Sequence, residues 1–179
     1  MVVDAYRSLC EEGFDLWLIL VPRHPERCRG VAGMLAGRGF NHVLRSRLEK
    51  ADPLRPGEIL LVDTVGEMLN LYAMADVVFV GGSLVPVGGH NILEASLLGK
   101  PVVFGSGMRN FKEIARLVVA EGGGIRVAGQ EDLLTALRDL LADPERRQTM
   151  GEAGHALLAR NQGATARTLD HIRRRLPES

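Results

Sequence analysis

Four short runs constrain this chain more than any other feature: "DLWLILV" (15–21), "EILLVD" (58–63), "DVVFV" (76–80) and "PVVF" (101–104). Each is apolar at successive positions rather than at alternate ones, so each is expected to bury both faces. Strands of that kind belong to parallel sheets covered by helices on both sides. Two weaker runs, "NHVLR" and "GGIRV", are also short enough to be strands. The segments between them carry helical spacing. Cys28, Val31, Met34 and Leu35 form one stripe, ended by Gly37 and Gly39; Met68, Leu71, Tyr72 and Ala75 form another. Ile114, Leu117 and Val118 are expected to face inward, and Leu133, Leu137, Leu140 and Leu141 mark a later helix. Pro144 opens a further helix at its first turn, and a final basic helix is expected to run to about Leu176. The fold class that follows is α/β, a doubly wound parallel sheet of about six strands in one domain over 1–179.

Composition narrows the function classes. Lys plus Arg and Asp plus Glu are both 22, a net charge of zero, which argues against capture of nucleic acid or of an anionic membrane surface. The two cysteines, Cys10 and Cys28, lack metal-ligand spacing and make no disulfide framework, so a reducing compartment is the simplest reading. No apolar run approaches the roughly 20 residues that span a bilayer. Asp4, Arg7, Glu11 and Glu12 interrupt any signal-peptide pattern. "MVVDAYRSLCEEG" reads as a helix already under way, with Val3, Tyr6, Leu9 and Cys10 on one stripe, Gly13 as its stop and no N-cap signal before it. That start suggests a piece of a longer protein.

In an open parallel sheet, ligands bind outside the carboxyl ends of the strands, where loops enter helices. The richest such place is "FVGGSLVPVGGHNILEASLLGKPVVFG" (79–105), a glycine loop followed by a helix expected from about Asn91 to Leu98 with Gly99 at its C-terminus. Gly88 and Gly89 suit either a tight turn or close approach to a phosphate, and His90 suits either a cap or a phosphate donor. Asn91 is a good N-cap. Glu94 lies one turn into that helix on the face of Asn91, and two readings are open: a capping box with Asn91, or a carboxylate accepting two ribose hydroxyls. Pro22, Arg23 and His24 close the first strand, and Arg23 is either a solvated charge or a planar fork for a phosphate. Gly66, Glu67 and Met68 close the third. Asn110 and Lys112 follow "VVFGSGM", as helix cap and surface charge or as groups reaching the same rim. No Ser-His-Asp or Cys-His arrangement, no catalytic residue and no metal site is expected; His155 and His171 read as surface residues.

"ILVPRHPER", "LLVDTVGEMLNLYAMADVVFVGGSLVPVGGHNILEASLLGKPVVFGSGMRNFKEIA" and "GGGIRV" resemble, in this order, the 3-deoxy-D-manno-octulosonic acid (Kdo) transferases over about Leu16 to Val127. The resemblance implies the C-terminal Rossmann-like half of a GT-B glycosyltransferase, the half that binds the donor CMP-Kdo. It implies that Pro22 and Arg23, Gly66, Glu67 and Met68, and Asn91, Ile92, Leu93 and Glu94 contact CMP; Gly88, Gly89 and His90, read from the glycine loop itself, are a candidate phosphate loop. Within those segments, Arg23 and the Asn91 helix end are expected to hold the phosphate, Met68 to line the base pocket and Glu94 to take the ribose. One departure is "LVPVGG", where relatives commonly carry a polar or charged residue at the position of Val87.

The implied reaction is transfer of Kdo to a lipid A precursor in lipopolysaccharide core synthesis, with no cofactor beyond the donor substrate. Acceptor site, catalytic base and membrane anchor would lie in an N-terminal domain absent here, so this chain is expected to be soluble and inactive alone. The whole protein would sit at the cytoplasmic face of the bacterial inner membrane. Two other readings compete: a GT-B nucleotide-sugar epimerase, which would prefer a uridine nucleotide, and a non-catalytic nucleotide-binding domain.

Overall fold

Every strand among the described residues, 1–50, 53–85 and 88–161, pairs in parallel with its neighbours in the computed structural model. The six strands are β1 (Leu18–Leu20), β2 (His42–Leu44), β3 (Ile59–Leu61), β4 (Val78–Val80), β5 (Val102–Gly105) and β6 (Gly124–Val127). They pair as two sheets of three, β1-β3-β2 and β4-β5-β6, rather than as the single six-stranded sheet expected. The seven α-helices among the described residues are α1 (Val2–Glu11), α2 (Cys28–Gly37), α3 (Met68–Met74), α4 (Leu93–Leu97), α5 (Lys112–Ala120), α6 (Gln130–Ala142) and α7 (Pro144–Asn161). The chain falls into two compact units, Met1–Met74 with Gly129–Arg138, and Ala75–Ala128 with Asp139–Ser179.

In the first unit the period of two along β3 divides the core. Ile59 and Leu61 join Val3, Tyr6, Cys28, Leu35 and Phe40 from the α1 and α2 side. Leu60 and Val62, pointing the other way, join Leu71 of α3. The sheet is therefore covered on both faces, as its unbroken apolar runs require. The Tyr6 hydroxyl lies 3.1 Å from the carbonyl oxygens of both Leu16 and Glu58, tying α1 to the segments that lead into β1 and β3. The first apolar run is less buried than its composition implies. β1 is an edge strand, all three of its residues are half-buried, and Trp17 is 54% exposed with its indole N–H donating to the Leu54 carbonyl at 3.2 Å. Met34 is exposed rather than on the α2 stripe, because Leu35, one residue and about 100° further round the helix, takes the inward position.

In the second unit β5 is central, and Val102, Val103 and Phe104 have no exposed surface. Val118 of α5 and Met150 and Leu157 of α7 are also buried. Helix α4 is shorter than its sequence pattern. It starts at Leu93 with Ile92 in the N-cap position, and it stops through Gly99 at φ +65°. There the Gly99 N–H donates to the Ser96 carbonyl and the Lys100 N–H to the Ala95 carbonyl, both at 3.0 Å, which is the Schellman pattern that glycine permits. The expected final basic helix, His171 and the departure at Val87 lie outside the described residues.

Candidate functional site

In the first unit, the pairing of β1 with β3 brings two of the sequence-predicted segments to one sheet end. The Val62 N–H donates to the Leu20 carbonyl at 2.9 Å, so Pro22–Arg23 and the segment from Asp63 to Met68 leave neighbouring parallel strands in the same direction. Arg23 is exposed and has no ion pair among the described residues, which leaves its guanidinium free for an anion. Gly66 takes φ +86°, a conformation only glycine adopts without strain, to turn the chain into α3. Met68 opens α3 half-buried, with Val65 79% and Leu69 51% exposed on either side. Three apolar side chains at a strand end can take the face of a nucleobase.

Both oxygens of the Glu67 carboxylate have partners within the first unit. One carboxylate oxygen accepts from Arg45 Nη2 at 2.7 Å, and the other accepts from the Thr64 hydroxyl. Its near neighbour Asp63 accepts from the Ser46 backbone N–H at 2.9 Å and from the Ser46 hydroxyl at 2.6 Å. Both carboxylates thus fasten the end of β3 to the residues that follow β2. Arg45, Ser46 and Thr64 carried no signal in the sequence, because their partners lie 17 to 22 residues away or inside an unremarkable loop. The Thr64 hydroxyl first, then Arg45, holds the Glu67 carboxyl below its ordinary value of 4.5. A depressed carboxylate stabilises the fold above its unfolded pKa and loses that contribution as pH falls through the folded value. Glu67→Gln should therefore separate from the wild type in thermal midpoint above the ordinary value of 4.5 and converge with it as pH falls further below that value. Parallel midpoint curves across that range would refute the clamp.

In the second unit, the loop after β4 is zipped to the loop after β5. Ser83, fully buried, donates its hydroxyl to the Val80 carbonyl and accepts from the Gly105 N–H at 2.7 Å, while the Gly107 N–H donates to the Ser83 carbonyl at 2.6 Å. A Cβ on Gly105 would stand 2.4 Å from the Ser83 carbonyl oxygen, and one on Gly107 would stand 2.5 Å from that of Val85. Much of the glycine content of this stretch therefore serves loop packing. Gly88 and Gly89 share in it: both are buried at positive φ, with Asn110 and Met108 filling the space their side chains would need. His90 is half-buried.

Asn91 and Glu94 are brought together, though not as a capping box. Asn91 Oδ1 accepts from the Leu93 N–H at 3.0 Å, and Asn91 Nδ2 lies 3.4 Å from Glu94 Oε1. Among the described residues Glu94 reaches a side-chain amide and no backbone N–H, so its carboxylate is not consumed in closing the helix. Ile92 is buried and Leu93 half-buried, so these two anchor the segment. A five-residue helix aligns few peptide dipoles, so a phosphate here would depend on individual N–H groups rather than on a macrodipole. Helix α4 is braced from behind by α7. Gly151 packs on the Gly99 carbonyl, Gly154 packs on Ser96, and the His155 Nδ1 lies 2.8 Å from the Leu97 carbonyl oxygen. His155 is exposed, as expected, yet it orients the helix that carries Glu94. Among the described residues no group of three or more His, Cys, Asp or Glu could hold a metal ion.

Comparison with known proteins gives three concordant results. The family model for group 1 glycosyl transferases matches residues 31–156. A 3-deoxy-D-manno-octulosonic acid transferase of Haemophilus influenzae is 38% identical over 97% of this chain and 40% of its own length. One from Bordetella pertussis is 43% identical over 87% of this chain and 36% of its own. This chain thus spans about two fifths of the length of these relatives. The crystal structure of the C-terminal CMP-Kdo binding domain of WaaA from Acinetobacter baumannii superposes with a TM-score of 0.80 at 30% identity, covering 88% of this chain and 81% of that one.

Proposed function

This chain belongs to the group 1 glycosyl transferases, and from that premise we propose that it is the CMP-Kdo-binding part of a Kdo transferase. The observation that carries the reading is the Asn91–Glu94 segment: a carboxylate aligned by an amide, at the carboxyl end of a parallel strand, with no backbone N–H to satisfy. Its relatives' names and the likeness to a CMP-Kdo binding domain support the choice of donor. No observation favours the epimerase or the non-catalytic alternative.

In this reading Glu94 accepts the ribose hydroxyls; in the first unit, taken by itself, Met68 with its apolar neighbours suits a cytosine and Arg23 suits a phosphate. Gly88 and Gly89 offer backbone N–H groups on the approach to Asn91, with His90 next in the candidate phosphate loop. In the whole protein an acceptor hydroxyl of a lipid A precursor would attack the anomeric carbon of Kdo. The C–O bond to the phosphate breaks, CMP leaves with the electron pair, and the hydroxyl proton passes to a base. No residue of this chain is assigned as that base, and no cofactor is invoked. No helix among the described residues is long and apolar enough to cross a membrane. Attachment at the cytoplasmic face of the inner membrane and recognition of the lipid acceptor are assigned to the rest of the whole protein.

Equilibrium binding of CMP-Kdo to this 179-residue chain tests the proposal. Saturable binding that CMP displaces is expected. Binding that CMP does not displace, or none at all, would contradict it.

A further inference from the structure

Asn110 stands apart from the duties that its position suggested. Helix α5 begins two residues later with Phe111 in the cap position and no side-chain cap bond, so Asn110 caps nothing. It is exposed, and its carboxamide makes no hydrogen bond to the described residues. That carboxamide lies directly over the α-carbon of Gly88: Nδ2 is 2.7 Å and Oδ1 3.6 Å from the point a Cβ would occupy there. The Asn110 backbone N–H also points at the Gly88 carbonyl, at 3.5 Å. Any side chain on Gly88 would push the carboxamide away, and φ +95° excludes one independently. Gly88 in turn lies three residues ahead of Asn91, the opening of the segment assigned to the ribose.

We propose that Asn110 contacts the sugar of the bound nucleotide donor and helps to determine which sugar is accepted. The inference rests on the reading of this chain as a donor-binding domain. If the ribose is taken at Glu94, the part of the donor that extends upstream along the loop is its phosphate and sugar. A carboxamide there can donate to a sugar carboxylate through Nδ2 and accept from a sugar hydroxyl through Oδ1. A hydroxyl-rich sugar acid uses both. A site that hydrogen-bonds such groups rejects analogues lacking them far more strongly than an apolar pocket does. Met108, packed against Gly89 in the same way, fixes the neighbouring residue of the loop and leaves the polar contact to Asn110.

The test compares two ligands on the same variants. Asn110→Ala should weaken binding of CMP-Kdo about tenfold while leaving CMP within about twofold, because CMP lacks the sugar. Asn110→Asp keeps the shape, removes the donor and adds a negative charge, so it should weaken CMP-Kdo more than the alanine variant does. Equal losses for CMP and CMP-Kdo would show that Asn110 merely holds the loop, and would overturn the proposal. So would unchanged CMP-Kdo binding in both variants while the wild type binds both ligands; that outcome leaves the donor-binding reading standing. A wild type that binds neither ligand removes both.

Discussion

Replacing Glu94 by glutamine is expected to weaken CMP binding by about ten- to a hundredfold, a loss of about 1.5–3 kcal/mol. The change keeps the side chain's shape and removes one charge-assisted acceptor. A hydrogen bond to a charged group carries roughly twice the weight of a neutral one. The structure also limits what the same variant does to folding. Glu94 takes a 3.4 Å contact from Asn91 and no backbone N–H, so its removal should lower stability by less than about 1 kcal/mol. Affinity and thermal midpoint should therefore part company. A variant that keeps wild-type affinity and loses stability would return Glu94 to a purely local role.

Gly151→Ala should destabilise the protein even though helix propensity alone predicts the reverse. Alanine in a helix interior is favoured over glycine by about 1 kcal/mol. At position 151, in the middle of α7, the added Cβ would stand 1.9 Å from the Gly99 carbonyl oxygen, a backbone atom with no rotamer to swing away. Overpacking of that kind costs about 1–3 kcal/mol and occasionally more, so the clash wins. Because Gly99 is the glycine that terminates α4, the displacement should reach Glu94 and weaken CMP binding too. Gly33 in α2 is the matched control. Nothing lies within 4 Å of a Cβ built there, so Gly33→Ala should stabilise by about 0.5–1 kcal/mol. Chemical denaturation of the two variants gives the signs. Stabilisation by both would show that α7 does not brace α4 as described.

The order of strands and helices was legible because unbroken apolar runs and 3.6-residue stripes are local signals. β3 and β5, the two central strands, carry them most clearly and are buried throughout. β1 misled, since an apolar run reads the same whether the strand lies at the centre of a sheet or at its edge. The rim segments Pro22–Arg23, Gly66–Met68 and Asn91–Glu94 were legible as polar groups at strand ends. Their division of labour was not. The Arg45 guanidinium that pairs with Glu67 comes from 22 residues away, beyond the reach of any local pattern. The role of Gly105 and Gly107 was not legible: they make room for Ser83 and its neighbours, a pairing set by tertiary contact and invisible in spacing. The pairing of Asn91 with Glu94 was foreseeable at three residues' separation, but whether Glu94 would reach a backbone N–H depended on where the helix began.

Titration of the chain with CMP and with UDP by calorimetry tests the central claim most directly. A donor-binding domain for a cytidine nucleotide sugar should bind CMP saturably at one site and bind UDP at least about tenfold more weakly. UDP binding as tight as CMP would instead point to a uridine-nucleotide enzyme, and would contradict the assignment of this chain to CMP-Kdo.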